Sequence, residues 1–166
     1  MADKTRPDRK TRVKSEAHWE MPEKRAKKEA MRRKRQGKSP SSQAGEFVHQ
    51  EIRHVREGKH GARSPQQAIA IGLSKARRAG VKVPAQKRGS ARTRRNAAAA
   101  NRAGRHPHRV SATRSRGTAR ALRRERHDTA SRGALARQAR SASRRRGPAA
   151  RSRAARKAAR TRSRRG

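Results

Sequence analysis

The large apolar residues of this chain are concentrated in one segment, from Ser39 to Pro84, and this confines any stable core to that segment. The whole chain of 166 residues has 29% hydrophobic and 37% charged residues. A typical globular domain has roughly 45–50% apolar and about 25% charged residues. Because this chain buries too little apolar surface to offset the ordering entropy of every residue, we predict that much of it is disordered when alone.

The basic residues change type near Pro84, which marks a compositional boundary. Eleven of the 13 lysines lie at or before Lys82, and nine of the 11 acidic residues lie at or before Glu57. Beyond the boundary the sequence is a low-complexity mixture of Ala, Arg, Ser and Gly. We therefore divide the chain into a mobile N-terminal arm at 1–21, a basic helix at 22–37, a helical core module at 38–84 and a disordered Arg/Ala-rich tail at 85–166.

The basic helix at 22–37 has two interpretations that the sequence leaves open. Its apolar residues are only Ala26, Ala30 and Met31, which is a thin stripe for packing. One interpretation is a solvated helix, and the other is a cationic helix that lies against a phosphate backbone.

Two Ser-Pro dipeptides predict the starts of two helices in the core module. Ser39 and Ser64 are suited to the N-cap, and the proline after each is suited to the first helical turn. In the second helix, Gln67 at the third helical position can complete a capping box. Gly58 and Gly80 are suited to the two helix ends. Apolar residues recur at three- and four-residue steps, which gives each helix one apolar face.

The short connection between these helices predicts an antiparallel hairpin. The predicted fold class is therefore mainly α, a small helical hairpin module flanked by a basic N-terminal helix or arm and by a long basic tail that is disordered or becomes helical on binding. A helix-turn-helix DNA reader is a less favoured alternative, because the connection exceeds the 3–4-residue turn of that motif. The predicted core residues are Phe47, Val48, Ile52, Val55, Ile69 and Leu73.

No group of residues predicts catalysis. His49 and His54 are five apart on the first core helix and do not share a face well. His106 and His108 could bind a metal, but no Cys or carboxylate is near them in sequence, so we interpret the histidines as solvated. We predict no enzymatic activity, no cofactor and no metal site. The absence of cysteine excludes a disulfide scaffold and a cysteine-based zinc site.

The charge of the chain predicts a polyanionic partner. The formal net charge is +40, and residues 87–166 contain 28 basic residues but only two acidic ones, Glu125 and Asp128. Twenty-eight cations match the phosphates of about 50 Å of duplex, or about 14 base pairs. With one Trp and one Phe in the chain, the aromatic platforms of single-strand readers are missing.

The predicted nucleic-acid-binding residues lie in the core module and along the tail. They are Lys59, Arg63, Lys75, Arg77, Arg78, Arg94, Arg95, Arg123, Arg124, Arg144, Arg145, Arg146, Arg153, Arg156, Lys157, Arg160 and Arg164. The last five fall at one-, three- and four-residue steps with alanines between them, so that a helix here would have one cationic face. Phosphate would relieve the repulsion between these charges and favour that helix.

The core module resembles a small, functionally uncharacterised bacterial domain family. The resemblance rests on the Gly-Glu-Phe-Val run from Gly45, the Gly-Lys-His-Gly loop from Gly58 and the Gln-Ala-Ile-Ala-Ile-Gly-Leu-Ser-Lys-Ala-Arg run from Gln67. It covers about residues 37–84 and implies a bacterial source and a short helical domain, without an activity. In composition, the tail also resembles the basic tails of linker-histone-like bacterial nucleoid proteins.

Three functions are consistent with these observations. The favoured hypothesis is a non-enzymatic, nucleoid-associated protein that binds double-stranded DNA largely independently of sequence. The alternatives are a factor that binds structured RNA or the ribosome, and an adaptor whose 38–84 module binds a protein. The chain has no apolar run near the roughly 20 residues of a membrane span and no apolar region of a secretory signal near its start, so we expect a cytoplasmic, nucleoid location.

Overall fold

The computed structural model describes residues 24–86, 89–106 and 111–164. Helices account for all the regular structure in these ranges, which confirms the predicted mainly α fold. They are α1 (24–35), α2 (Pro40–Arg56), α3 (Pro65–Arg78), α4 (Ala91–Arg105), α5 (Ala112–Arg123), a single 3-10 turn (Asp128–Ala130), α6 (Arg132–Arg146) and α7 (Pro148–Ser163). The predictions for the N-terminal arm at 1–21 lie outside the described residues.

The two central helices begin and end at the residues that the sequence indicates. The Ser39 and Ser64 hydroxyls accept hydrogen bonds from the Ser42 and Gln67 amides, at 3.4 and 3.2 Å. At the end of α3, the amides of Gly80 and Val81 donate back to carbonyls of the last turn, as in a Schellman motif. The capping box differs from the predicted one. The Gln67 side chain accepts a hydrogen bond from the amide of Arg63, one residue before the N-cap, and not from the amide of Ser64 itself.

Helices α2 and α3 form the predicted antiparallel hairpin. Phe47 in the first half of α2 shares an apolar cluster with Ala76 near the end of α3, whereas Val55 near the end of α2 shares another with Ala68 in the first turn of α3. At the crossing between them, a Cβ on Gly72 would lie 2.6 Å from the Val48 Cα. Glycine at this position therefore lets the two backbones approach closely.

The core of the hairpin contains more alanine than the sequence analysis anticipates. Of the six predicted core residues, Phe47 and Val55 are buried, and Ile52 and Leu73 are partly buried against the two clusters. Val48 and Ile69 are also partly buried. The other buried positions of the clusters are small residues and the valines that follow α3, namely Ala26, Ala30, Ala44, Ala62, Ala68, Ala76, Val81, Val83 and Ala130.

Helix α1 is attached to the hairpin by its thin apolar stripe. Ala26 and Ala30 are buried in the same cluster as Phe47. The Arg33 guanidinium reinforces this contact, because it donates to the Ser42 carbonyl at 2.9 Å and pairs with the Glu46 carboxylate at 2.5 Å. The stripe that the sequence analysis considered thin for packing therefore does reach the apolar core, and the choice between a solvated and a phosphate-binding outer face stays open.

The tail meets the hairpin at the loop between α2 and α3. The Gly61 and Ala62 amides donate to the Leu122 and Arg126 carbonyls at 2.8 and 2.9 Å. A Cβ at Gly61 would lie 1.8 Å from the carbonyl oxygen of Glu125, so only glycine permits this approach. The segment from Leu122 to Ala130, which we call the docking segment, thus binds the loop mainly through backbone groups.

The remaining tail helices differ in how much they bury. Helix α4 packs against α3 and buries Ala97 and Ala100, whereas α5, α6 and α7 contain no buried residue in the described ranges. The disorder predicted for 85–166 concerns the chain alone in solution, and it stays a prediction. No helix in the described ranges is both long enough and apolar enough to cross a bilayer.

Candidate nucleic-acid interface and a buried carboxylate cluster

The end of the tail presents a dense cationic surface. Helix α7 has 16 residues and is about 24 Å long, and every residue from 151 to 164 is exposed. Its basic residues are Arg151, Arg153, Arg156, Lys157, Arg160 and Arg162, followed by Arg164. The last turn of α6 adds three consecutive exposed arginines, 144 to 146. We call these ten residues the α6–α7 cationic surface.

This surface has no internal counter-charge. The sequence contains no acidic residue after Asp128. Among the described residues, the carboxylates that form ion pairs are Glu29, Glu46, Glu51, Glu57 and Asp128, and their partners all lie at or before Arg126. The charges of α6 and α7 therefore depend on solvent and external anions for compensation.

Most of the predicted nucleic-acid-binding residues outside this surface are also exposed. Lys59 is one of them, and its ammonium lies 2.8 Å from the Glu57 carboxylate, which accounts for the lowered pKa of Glu57. The others are Arg63, Arg78, Arg94, Arg95, Arg123 and Arg124. The tail part of this set lies on two separate helices, α4 and α5, with Arg124 directly after the last residue of α5.

Two predicted binding residues are instead buried or partly buried by their internal contacts. Arg77 is buried at 8% exposure, and its guanidinium donates to the Val83 and Pro84 carbonyls at 3.0 and 3.1 Å. Burial lowers the pKa of this guanidinium, although it remains fully charged at neutral pH. Lys75 points to the buried carboxylate of Glu51 at 3.0 Å. We therefore leave Arg77 and Lys75 out of the interface proposed below.

A cationic pocket lies where the docking segment meets α3 and α6. The pocket has a volume of about 490 Å³, and Arg63, Arg126 and Arg137 contribute to its lining. Asp128 also lines it and pairs with Arg126, which lowers the pKa of this carboxylate. Because Asp128 neutralises only one of the three guanidinium groups, the pocket retains a net positive charge.

A second constellation is buried between α2 and the loop that follows it. Glu51 is 1% exposed, with its Oε1 3.3 Å from His60 Nε2 and its Oε2 3.0 Å from Lys75 Nζ. His54 completes the group, and a ligating atom from each of Glu51, His54 and His60 lies within 4.8 Å of the others. The pKa of His54 is lowered chiefly by burial, with smaller contributions from the charges of Lys75 and Lys59. We call Glu51, His54 and His60 the carboxylate–histidine cluster.

The sequence analysis did not identify this cluster, although the sequence carries a signal for it. Glu51 is four residues after Phe47 and four before Val55, which places it in the centre of the apolar face of α2. An acidic residue at such a position requires a buried partner. His54 is three residues further along the same helix, whereas His60 is brought to the site by the turn after Gly58.

The comparisons with known proteins concern only the N-terminal part of the chain. Residues 22–88 match the model of a family of unknown function, DUF6496. The chain is thus similar to an uncharacterised domain family over about two fifths of its length. No curated protein and no solved structure matches it. The matched region contains the hairpin and the carboxylate–histidine cluster, and it ends where the cationic tail begins.

Proposed function

We propose that this protein is a non-enzymatic binder of double-stranded nucleic acid, with DNA favoured over RNA, and that it acts by neutralising backbone phosphates. The observation that carries the proposal is the α6–α7 cationic surface: ten basic residues, all exposed, on a stretch of chain without one acidic residue. Arginine forms bidentate contacts with phosphate and enters narrow minor grooves, and both contacts depend little on sequence.

The hairpin has a positioning role in this proposal. The docking segment holds the tail to the loop after α2, so that α6 begins beside the N-terminus of α3. The cationic pocket at this junction supplies a further place where a backbone phosphate can bind, between Arg63 and Arg137. The hairpin would thereby set the direction in which the α6–α7 cationic surface leaves the core.

The biological setting that fits this mode of binding is the bacterial nucleoid. In composition the Arg/Ala-rich tail resembles the basic tails of linker-histone-like nucleoid proteins, and a bacterial source is what the resemblance of residues 37–84 implies. A protein of this kind would bind many DNA sites with similar affinity, because phosphate contacts carry little sequence information.

A salt-dependent gel-shift experiment tests the proposal. The full chain is titrated against two duplex DNAs of unrelated sequence and against a folded RNA of similar length. If about ten phosphates are engaged, the logarithm of the affinity should fall with the logarithm of salt concentration with a slope near −9. The two duplexes should bind equally well and the RNA more weakly.

A matched pair of triple variants locates the binding surface. Replacing arginines 144, 145 and 146 by Gln should reduce the magnitude of the salt slope by about 2.7, because three phosphate contacts are lost. The control replaces three exposed cations on α1, Arg25, Lys27 and Lys28, by Gln as well. It therefore changes the net charge by the same amount. Equal losses in both variants would mean that net charge, and not the tail surface, determines affinity.

Two other results would overturn the proposal in favour of the alternatives. Tighter binding to the folded RNA would indicate an RNA or ribosome-associated protein. Failure to bind either nucleic acid at low salt would leave the adaptor hypothesis, in which the 38–84 module binds a protein.

A further inference from the structure

In the carboxylate–histidine cluster, a carboxylate oxygen of Glu51 faces a ring nitrogen of His60. Gly61 O is 3.1 Å from His60 Nδ1, and because a carbonyl only accepts, Nδ1 must carry the hydrogen of this bond. In a neutral imidazole, Nε2 then has a lone pair, and it faces Glu51 Oε1 at 3.3 Å. Two lone pairs at this distance repel unless a positively charged group lies between them.

The buried carboxylate is also incompletely satisfied by its lysine. Lys75 Nζ is 3.0 Å from Oε2, the other oxygen, and this contact lacks hydrogen-bond geometry. Neither carboxylate oxygen has a hydrogen-bond partner among the described residues, although the side chain is almost completely buried. A buried carboxylate that forms one ion pair but accepts no hydrogen bond is costly unless a further cation or donor binds its other oxygen.

The distance between the Glu51 and His60 ligating atoms matches that between two ligands of a tetrahedral metal site. Zinc binds imidazole nitrogen and carboxylate oxygen at about 2.0–2.2 Å, so two of its tetrahedral ligands lie about 3.3–3.5 Å apart. The observed distance from Glu51 Oε1 to His60 Nε2 is 3.3 Å. A ligating atom of His54 lies within 4.8 Å of both, which makes His54 the candidate for the third protein ligand.

We propose that Glu51, His54 and His60 bind a divalent transition metal ion of the zinc class. Glu51 contributes Oε1 as a single-oxygen ligand, while its Oε2 remains with Lys75. The Nδ1 hydrogen bond to Gly61 O fixes the ring orientation of His60, as outer-shell partners of ligating histidines commonly do. Two histidines and one carboxylate leave the fourth position for water.

The metal would connect α2 to the loop that holds the tail. His60 and Gly61 belong to this loop, and their backbone groups contact His127 and Leu122 of the docking segment. An ion that ties His60 to Glu51 and His54 would therefore stabilise the loop in the conformation that the docking segment binds. This site does not depend on the proposed function, because no residue of the α6–α7 cationic surface contributes to it.

Cobalt titration of the full chain, prepared without a histidine tag, tests the proposal. Four-coordinate Co²⁺ absorbs visible light much more strongly than Co²⁺ that is six-coordinate at a protein surface. We expect a saturable increase at one equivalent of Co²⁺, reversal by one equivalent of Zn²⁺, and a Zn²⁺-dependent rise in the midpoint of thermal unfolding. Weak absorption with no saturation would overturn the proposal and leave an imidazolium–carboxylate pair as the structure of the cluster.

Matched histidine variants decide which residues bind the ion. His54→Gln and His60→Gln should each weaken Co²⁺ binding by about tenfold or more. His49→Gln and His106→Gln change exposed histidines outside the cluster and should leave binding unchanged. Circular dichroism checks that each variant retains the helical content of the parent. Equal weakening by all four substitutions, or by none, would show adventitious binding at scattered histidines and contradict the proposal.

Discussion

The hairpin of α2 and α3 and the tail helices α6 and α7 are both helical, but different interactions stabilise them. The hairpin buries Phe47, Val55 and a row of alanines, and its helix ends are capped by serine and glycine. Helices α6 and α7 bury no residue and project cations at three- and four-residue spacing, where like charges oppose a helix. The hairpin is therefore stabilised by its own packing, whereas we predict that an anionic partner stabilises these tail helices.

The docking segment is intermediate between the hairpin and the tail helices in how much of it is buried. It buries only Ala130, and it is bound to the hairpin loop by two backbone hydrogen bonds and by the side chains of His127 and Thr129. Its stability should therefore follow that of the loop and not that of the tail. Substitutions that affect the hairpin, the docking segment and the cationic surface separately test whether the three regions are stabilised independently.

Truncating the central aromatic residue of the hairpin should have the largest effect. Phe47→Ala removes the largest apolar side chain of the core and should cost about 3–5 kcal/mol, much of the stability of a small domain. The measurement is thermal unfolding followed by circular dichroism. Met31→Ala is the control, because Met31 is 53% exposed and its truncation should cost little. Similar unfolding curves for the two variants would contradict the assigned core.

A pair of glycine substitutions tests the close approach of the two helices. Gly72→Ala should destabilise the hairpin by about 1–3 kcal/mol, since its Cβ would meet the backbone of Val48. Gly45→Ala places a methyl group on α2 where only the flexible end of Arg33 is near, at 3.8 Å. That control should stabilise the helix by about 0.5–1 kcal/mol. A shift of the unfolding midpoint in the same direction for both variants would contradict the close approach of α2 and α3 at Gly72.

Substitution at the loop should release the docking segment without unfolding the hairpin. Gly61→Ala clashes with the Glu125 carbonyl and removes two backbone hydrogen bonds, at about 1 kcal/mol each. Amide hydrogen exchange at residues 122–130 should accelerate, while α2 and α3 keep their protection. Gly117→Ala, on the exposed face of α5, is the control and should change neither. Loss of protection throughout the hairpin would show that docking and folding are inseparable.

A single charge on α7 should affect binding alone. Arg160→Gln should lower the magnitude of the salt slope for duplex DNA by about 0.9 and leave thermal unfolding unchanged, because the residue is exposed and has no ion-pair partner among the described residues. Arg160→Lys retains the charge and should retain the slope. A change in the unfolding midpoint would indicate a structural role for α7 that the comparison does not include.

The hairpin could be predicted from sequence because its signals are local. The serine caps, the Gly stops and the three- and four-residue apolar steps all lie within one helix length of the structure that they specify. Arg77 is a residue whose environment these local signals did not predict. Its position in the last turn predicts a solvent-exposed cation, but the chain turns back after Gly80 and brings the Val83 and Pro84 carbonyls to its guanidinium.

The docking segment could not be predicted, because each of its hydrogen bonds with the hairpin has a backbone group on at least one side, and a backbone group carries no residue-specific signal. Gly61 and Leu122 are far apart in sequence and join through backbone atoms, which every residue has. The carboxylate–histidine cluster was partly predictable. Glu51 interrupts an apolar face, which marks it as a paired group, but its partners His60 and Lys75 become visible only when the loop and α3 are placed.

Amide hydrogen exchange of the full chain, with and without duplex DNA, tests the central claim most directly. The account predicts protected amides in α2 and α3 under both conditions and a rise in protection across α6 and α7 when DNA is added. Protection of the tail that is high without DNA and unchanged by it, with new protection confined to the hairpin, would contradict the account.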